Sequence, residues 1–223
     1  MQTSFIPVIA IDGPSASGKG TVAQLVAKNL GFHYLDSGAL YRIVAFATQQ
    51  KKVDWDDADA VAACAKTLNI EFIQDYVYLN TQEISAHIRT ELMGKGASKV
   101  AVHAPLRAAL INLQHSFCKA PGLVADGRDM GTVVFKHAQL KIFLTASTEI
   151  RAERRYRQLL AKNQRANYQN ILQDLAERDA RDKSRASAPL LMADDAIYLE
   201  TDHVSINDAV SFILQHYNSK TAE

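Results

Sequence analysis

Nine residues near the start of the chain, Gly13-Pro-Ser-Ala-Ser-Gly-Lys-Gly-Thr21, restrict the fold more than any other feature. They follow an apolar run at 8–11 and open a helix-patterned stretch at 21–30 that Gly31 ends as a C-cap. A glycine-rich turn between strand and helix lets backbone N–H groups converge on an anion. The positive end of the helix faces the same point. Lys19 is placed to bridge the β- and γ-phosphates of a triphosphate. Gly13, Pro14, Ser15, Ala16, Ser17, Gly18, Lys19, Gly20 and Thr21 are therefore the expected ATP-binding residues, and Mg²⁺ is the expected companion of ATP. In the simple motif Ser or Thr directly follows the lysine; here Gly20 intervenes before Thr21. The hydroxyl that reaches the metal, and the metal ligands generally, stay open.

Four further apolar runs, 33–35, 122–125, 140–145 and 196–199, read as buried strands. Helical patterns at 39–49, 106–118, 148–163 and 167–183, and one from Ser205 with Asp208 as its capping partner, lie between or after them. Strands alternating with helices predict a parallel sheet covered on both faces. The fold expected is a three-layer α/β P-loop NTPase with a five-stranded parallel sheet, a helical lid and a small inserted α+β substrate-binding element. The insert is read at 53–96, because 70–74 and 76–80 form two β runs with a turn near Asp75. Residues 1–52 and 97–223 form the core, with the lid at about 150–189.

Lys and Arg total 25 against 24 Asp and Glu, a net charge of +1. Such balance supplies no general field for nucleic acid or an anionic membrane, so neither is an expected partner and any anion site is local. Cys64 and Cys118 lie in helix-like stretches without metal-ligand spacing and read as two buried thiols. No two of the seven histidines stand three or four residues apart, which argues against a histidine metal site. Residues 1–7 lack the pattern of a signal peptide, and no apolar run approaches the roughly 20 residues of a membrane span. A reducing, cytoplasmic setting is expected.

Three clusters bear on the acceptor. Asp36-Ser-Gly-Ala-Leu-Tyr-Arg42 follows a strand and opens a helix; Ser37 and Arg42 can hold an anion there, although the segment also fits an ordinary capped helix. Asp126-Gly-Arg-Asp-Met-Gly131 follows another strand, where open α/β sheets bind ligands, and also fits a solvated turn with a local Arg–Asp pair. Arg178, Arg181, Asp182 and Arg185 recur on one helix face. Eight of the twelve arginines lie between Arg151 and Arg185, as a movable cationic cover or a salt-bridged solvent face would have them. Transfer between two phosphates gives these cations a common purpose: charge is clamped, no general base is needed, and a closing lid excludes water.

At these residues the chain resembles the nucleoside monophosphate kinases, specifically the bacterial-type cytidylate kinases. The resemblance is carried by 13–21, 35–42, 125–135 and 177–189, and spans essentially the whole chain. It implies ATP as donor and CMP and dCMP as acceptors; a monomer is expected, although the sequence does not fix the oligomeric state. It implies that Ser37, Arg42, Arg128 and Arg185 grip the acceptor phosphate, that Arg178 and Asp182 lie near the phosphates and ribose, and that Ser98, Arg107 and Asp129 face the base. Lys19, Arg128, Arg178 and Arg185 are then the expected catalytic cations. The stretch His103-Ala-Pro-Leu106 departs from the family pattern near Arg107. Independently, the N4 amine of cytosine suits a carboxylate such as Asp129, whereas the oxygen of uracil does not. The competing readings are a kinase for uridylate or a non-nucleotide acid, a nucleotide-driven switch (although Asn-Lys-x-Asp is absent), and a nucleic-acid binder. Trp55, alone in an acidic stretch, reads as a local anchor and not a base platform.

Overall fold

The computed structural model describes residues 6–73 and 76–221. Contacts divide the chain into two compact units, Met1–Leu35 with Phe117–Glu223, and Asp36–Ser116.

Among the described residues of the first unit, five strands form one sheet: β1 (Val8–Asp12), β2 (His33–Asp36), β6 (Leu123–Gly127), β7 (Leu140–Thr145) and β8 (Ile197–Glu200), in the order β2-β6-β1-β7-β8. The sheet is parallel with helices on both sides, as expected. β1 is central, with Ile9 opposite Val124 on one side and Leu140 on the other. Its five residues are all buried, which is why 8–11 reads as an unbroken apolar run. Helices α1 (Lys19–Leu30) and α9 (Ile206–Thr221) pack on the sheet through Val22, Val26, Val210 and Ile213, which join Ile9, Ile11, Ile142 and Leu144 in the core. Gly31 ends α1 at φ 67°, a conformation that costs glycine little. The Ser205 hydroxyl accepts from the Asp208 amide at 3.2 Å, so the expected cap forms. α7 (Thr148–Ala161) and α8 (Tyr168–Ser184) pack as a helical hairpin.

One feature of this unit was not foreseen and another departs from expectation. The segment after Asp129 forms a π-helical turn, Met130–Val134. Cys118 lies beyond the end of its helix and is only half-buried, whereas Cys64 is buried as expected.

The second unit contains α2 (Ser37–Gln50), α3 (Ala58–Lys66), a three-stranded antiparallel sheet of β3 (Ile70–Ile73), β4 (Tyr76–Leu79) and β5 (Gln82–Glu83), then α4 (Ser85–Ile88), α5 (Glu91–Val100) and α6 (Ala104–Ser116). The β3–β4 pair matches the expected hairpin; its turn at 74–75 lies outside the described residues. α3 and α5 were not foreseen. α3 is capped by Asp57, which accepts from the Ala60 amide at 2.9 Å, and α5 by Thr90. Trp55 is an anchor: its indole donates to Ala45 O and Thr48 Oγ1, both at 3.1 Å, and its ring lies against Gly96.

Candidate active site

The phosphate loop leaves the carboxyl end of β1, and polar side chains reach it from just after β6 (Arg128) and just after β8 (Thr201). A Cβ on Gly13 would strike the Leu144 carbonyl, so only glycine lets the loop leave β1 beside β7. Ala16 (φ 60°) and Gly18 (φ 92°) hold left-handed backbone two residues apart, the kind of alternation that makes a concave nest of N–H groups. Lys19 opens α1, and its ammonium donates to Pro14 O at 3.1 Å across the loop. Ser17 is 1 % exposed, and its buried Oγ has no hydrogen-bond partner. Thr21 is exposed. Beside Gly20, Tyr34 donates to the Asp126 carboxylate at 2.6 Å.

The Asp126–Gly131 segment does not float as a solvated turn. Arg128 donates through Nε to Asp182 of α8 at 2.8 Å and through Nη2 to the Ser15 hydroxyl at 2.6 Å. It therefore ties β6, the phosphate loop and α8 together. Asp129 is buried, with its carboxylate 3.7 Å from the guanidinium of Arg185, also buried. Burial alone would raise the Asp182 pKa. The charges of Arg128, Arg178 and Arg185, with the Arg128 hydrogen bond, outweigh it and hold the carboxyl below its usual range. Arg178 and Asp182 thus lie together with Arg128 and Arg185, whereas Arg181 turns to solvent and pairs loosely with Glu177 at 3.9 Å. The single helix face expected from spacing is split at that residue, and Asp179 takes an inward place instead.

Asp12, at the end of β1, was not singled out from the sequence. Its two carboxylate oxygens accept from the amides of Met130 and Gly131, each at 2.8 Å, and so fix the π-helical turn that follows Asp129. Burial pushes its pKa up to about 6; the two amides and Lys19 pull against that, and the charge of Asp129 adds to it.

Two arginines of α7 were also missed as individuals. Arg151 is 3 % exposed and fully engaged. Its Nε donates to Ala146 O (2.9 Å), Nη1 to Ser15 O (3.1 Å) and Asp179 Oδ1 (3.2 Å), and Nη2 to Asp179 Oδ2 (2.6 Å) and Thr148 Oγ1 (2.9 Å). Arg154, one turn on, reaches Ser17 O at 3.3 Å, Thr201 Oγ1 at 3.1 Å and the Thr201 carbonyl. Thr201 itself sits against Ser17 O and donates to Thr145 O at 3.0 Å. The available signal was an i, i+3 arginine pair in the first turns after a buried strand.

The second unit carries the other four expected residues. Ser37 is buried in the first turn of α2, which Asp36 caps by accepting from the Ala39 amide at 2.9 Å. Arg42 donates to the carbonyls of Ile88 (2.9 Å) and Thr90 (3.0 Å). Ser98 is buried on α5. Arg107, buried on α6, lies over the Tyr41 ring with 5.5 Å to its centroid and donates to Ala101 O at 3.1 Å.

The family model for cytidylate kinase matches residues 9–219. A cytidylate kinase of Polynucleobacter asymbioticus is 55 % identical over 98 % of this chain and 100 % of its own length. One from Burkholderia thailandensis is 56 % identical over 95 % of this chain and 92 % of its own. Among solved structures, a protein from Eubacterium ventriosum aligns over 96 % of this chain and 99 % of its own with a TM-score of 0.52 at 11 % identity, a likeness of fold. Matched from its first core strand into its last helix, with the phosphate loop and the Arg128–Asp129 segment in place, this chain belongs to the cytidylate kinase family.

Proposed function

We propose that the protein transfers the terminal phosphoryl group of ATP to CMP, and also to dCMP, giving ADP and the cytidine diphosphate. The observation that carries this reading is the family match along residues 9–219, together with relatives above 50 % identity that are themselves cytidylate kinases. Residues 13–21 receive the phosphates of ATP, with Lys19 on the transferred group. Arg128, Arg178 and Arg185 gather charge around the moving phosphoryl, and Asp182 orders those cations. Ser37 and Arg42 hold the acceptor phosphate together with Arg128 and Arg185. Ser98, Arg107 and Asp129 read the base, with Asp129 accepting from the N4 amine. The hairpin at about 150–189 acts as the lid, and 53–96 as the monophosphate-binding element. The enzyme works as a monomer in the cytoplasm, on free nucleotides. Among the described residues no helix is long and apolar enough to cross a membrane.

Mg²⁺ would arrive with ATP and neutralise charge on its phosphates. No group of three or more His, Cys, Asp or Glu among the described residues could hold a metal by itself, so nucleotide and water would supply most ligands, as this ion prefers. Ser17, with its buried unpartnered hydroxyl in the loop, and Asp126 beside Gly20 are hard-oxygen groups that fit it.

The test is a coupled ADP-release assay with Mg-ATP against CMP, dCMP, UMP, AMP and GMP. Strong turnover with CMP and dCMP, weak turnover with UMP and none with purines is expected. Turnover led by UMP would move the uridylate reading to the front, and none with any monophosphate would discard the acceptor assignment.

A further inference from the structure

We propose that Arg151 and Arg154 are positioning residues of the donor site, holding the carbonyls of Ser15 and Ser17 outward so that the amides of Ala16 and Gly18 face the phosphates. A trans peptide is planar, with its C=O and N–H pointing in opposite directions. Whatever fixes the carbonyl of one residue therefore aims the amide of the next. Arg151 fixes Ser15 O, and Arg154, itself held by the Thr201 hydroxyl, fixes Ser17 O. The two amides so aimed belong to the loop's two left-handed residues, Ala16 and Gly18. A non-glycine residue at φ 60° is strained, and it persists where its surroundings dictate it.

The clamp is preorganised. Arg151 makes a bidentate pair with Asp179, so a residue of α8 holds the guanidinium that holds the loop. Arg154 is held in turn by Thr201, which β8 delivers. The charge of Arg151 is matched by Asp179 and its donors are engaged, so it acts through the loop and not on the nucleotide. Asp179 links the state of α8 to the shape of the phosphate nest.

This rests on reading 13–21 as the ATP site, and the experiment separates the two. In the full chain, the affinity for a non-hydrolysable ATP analogue is measured by calorimetry, KM for ATP and for CMP by steady-state kinetics, and folding by thermal melt. Arg151→Met should weaken analogue binding and raise KM for ATP about tenfold, the loss expected of one or two charge-assisted hydrogen bonds. KM for CMP should stay within about twofold. Arg151→Lys should not restore binding, because one ammonium lacks the planar fork that meets Ser15 O and both Asp179 oxygens. Thr201→Val, which keeps the shape and removes only the hydroxyl, should give about a threefold loss with the same selectivity. If Arg151→Met fails to fold, Thr201→Val decides alone. Folded variants that bind the analogue as the unaltered chain does, or that raise both KM values together, overturn the positioning role. An unaltered chain that binds no ATP analogue overturns the reading of the loop itself.

Discussion

Asp12 carries a carboxyl in a place where its charge is costly, yet both of its oxygens are used by backbone amides. Unfolded, it titrates near 3.8; folded, near 6. Between those values the folded chain keeps a proton that the unfolded chain has lost. The associated stability is complete below about pH 4, falls as pH rises through 6, and is level above that. Asp12→Asn removes this dependence. The stability difference between wild type and variant should therefore shrink by a few kcal/mol from pH 4 to pH 7, read by denaturant unfolding at several pH values. Parallel curves would refute it. A neighbouring carboxylate is proposed to serve specificity: Asp129→Ala should narrow the preference for CMP over UMP by at least about tenfold, measured as the ratio of kcat/KM values. An unchanged ratio would remove Asp129 from the base.

Elements show where sequence and structure agree and why they part. A Cβ on Gly96 would lie 2.7 Å from the Trp55 ring and 2.9 Å from Ala45 Cβ. Gly96→Ala should cost about 1–3 kcal/mol through overpacking of α5 against α2, seen as a melting point lowered by several degrees. The same closeness explains why α5 was illegible: Gly94 and Gly96 lower its intrinsic propensity, and packing that a linear pattern does not contain restores the helix. The parallel strands were legible because burial on both faces leaves continuous apolar runs, as at 8–11. The Met130–Val134 turn was not, since it is held by Asp12, far away in sequence, whose carboxylate accepts from the Met130 and Gly131 amides. For the site, the phosphate loop and the Arg128–Asp129 segment stood out by motif. Arg151 did not, because a helix with several arginines does not announce which one turns inward; that depends on Asp179 and Ser15 O arriving from elsewhere in the chain.

For the molecule as a whole, the division of labour can be tested by acceptor selectivity. Lys19 is proposed to serve the donor, so Lys19→Ala should lower turnover with every acceptor by the same factor, at least about a hundredfold. Arg107 is proposed to serve the base, so Arg107→Met should raise KM for CMP while leaving ATP affinity within about twofold. Titration of both substrates against each variant separates the outcomes, and an acceptor-selective loss at Lys19 would contradict its role.

The strand topology has a consequence for how the chain comes together. β1 pairs with β6 residue for residue, Val8 with Leu123 through Asp12 with Gly127, across the entire Asp36–Ser116 segment. The chain just before and just after that segment is stitched within the first unit, where the His33 amide donates to Gly122 O at 2.9 Å and its ring meets Ala120 O at 3.0 Å. Bringing such distant strands together from a flexible chain carries a loop-closure entropy and slows folding. A segment that first collapses on its own local helices replaces a long slack loop by a short tether. Rapid early protection of amides in α2, α3 and α6, ahead of those in β1 and β6, is the order of events this topology favours, and pulse-labelled hydrogen exchange reads it directly.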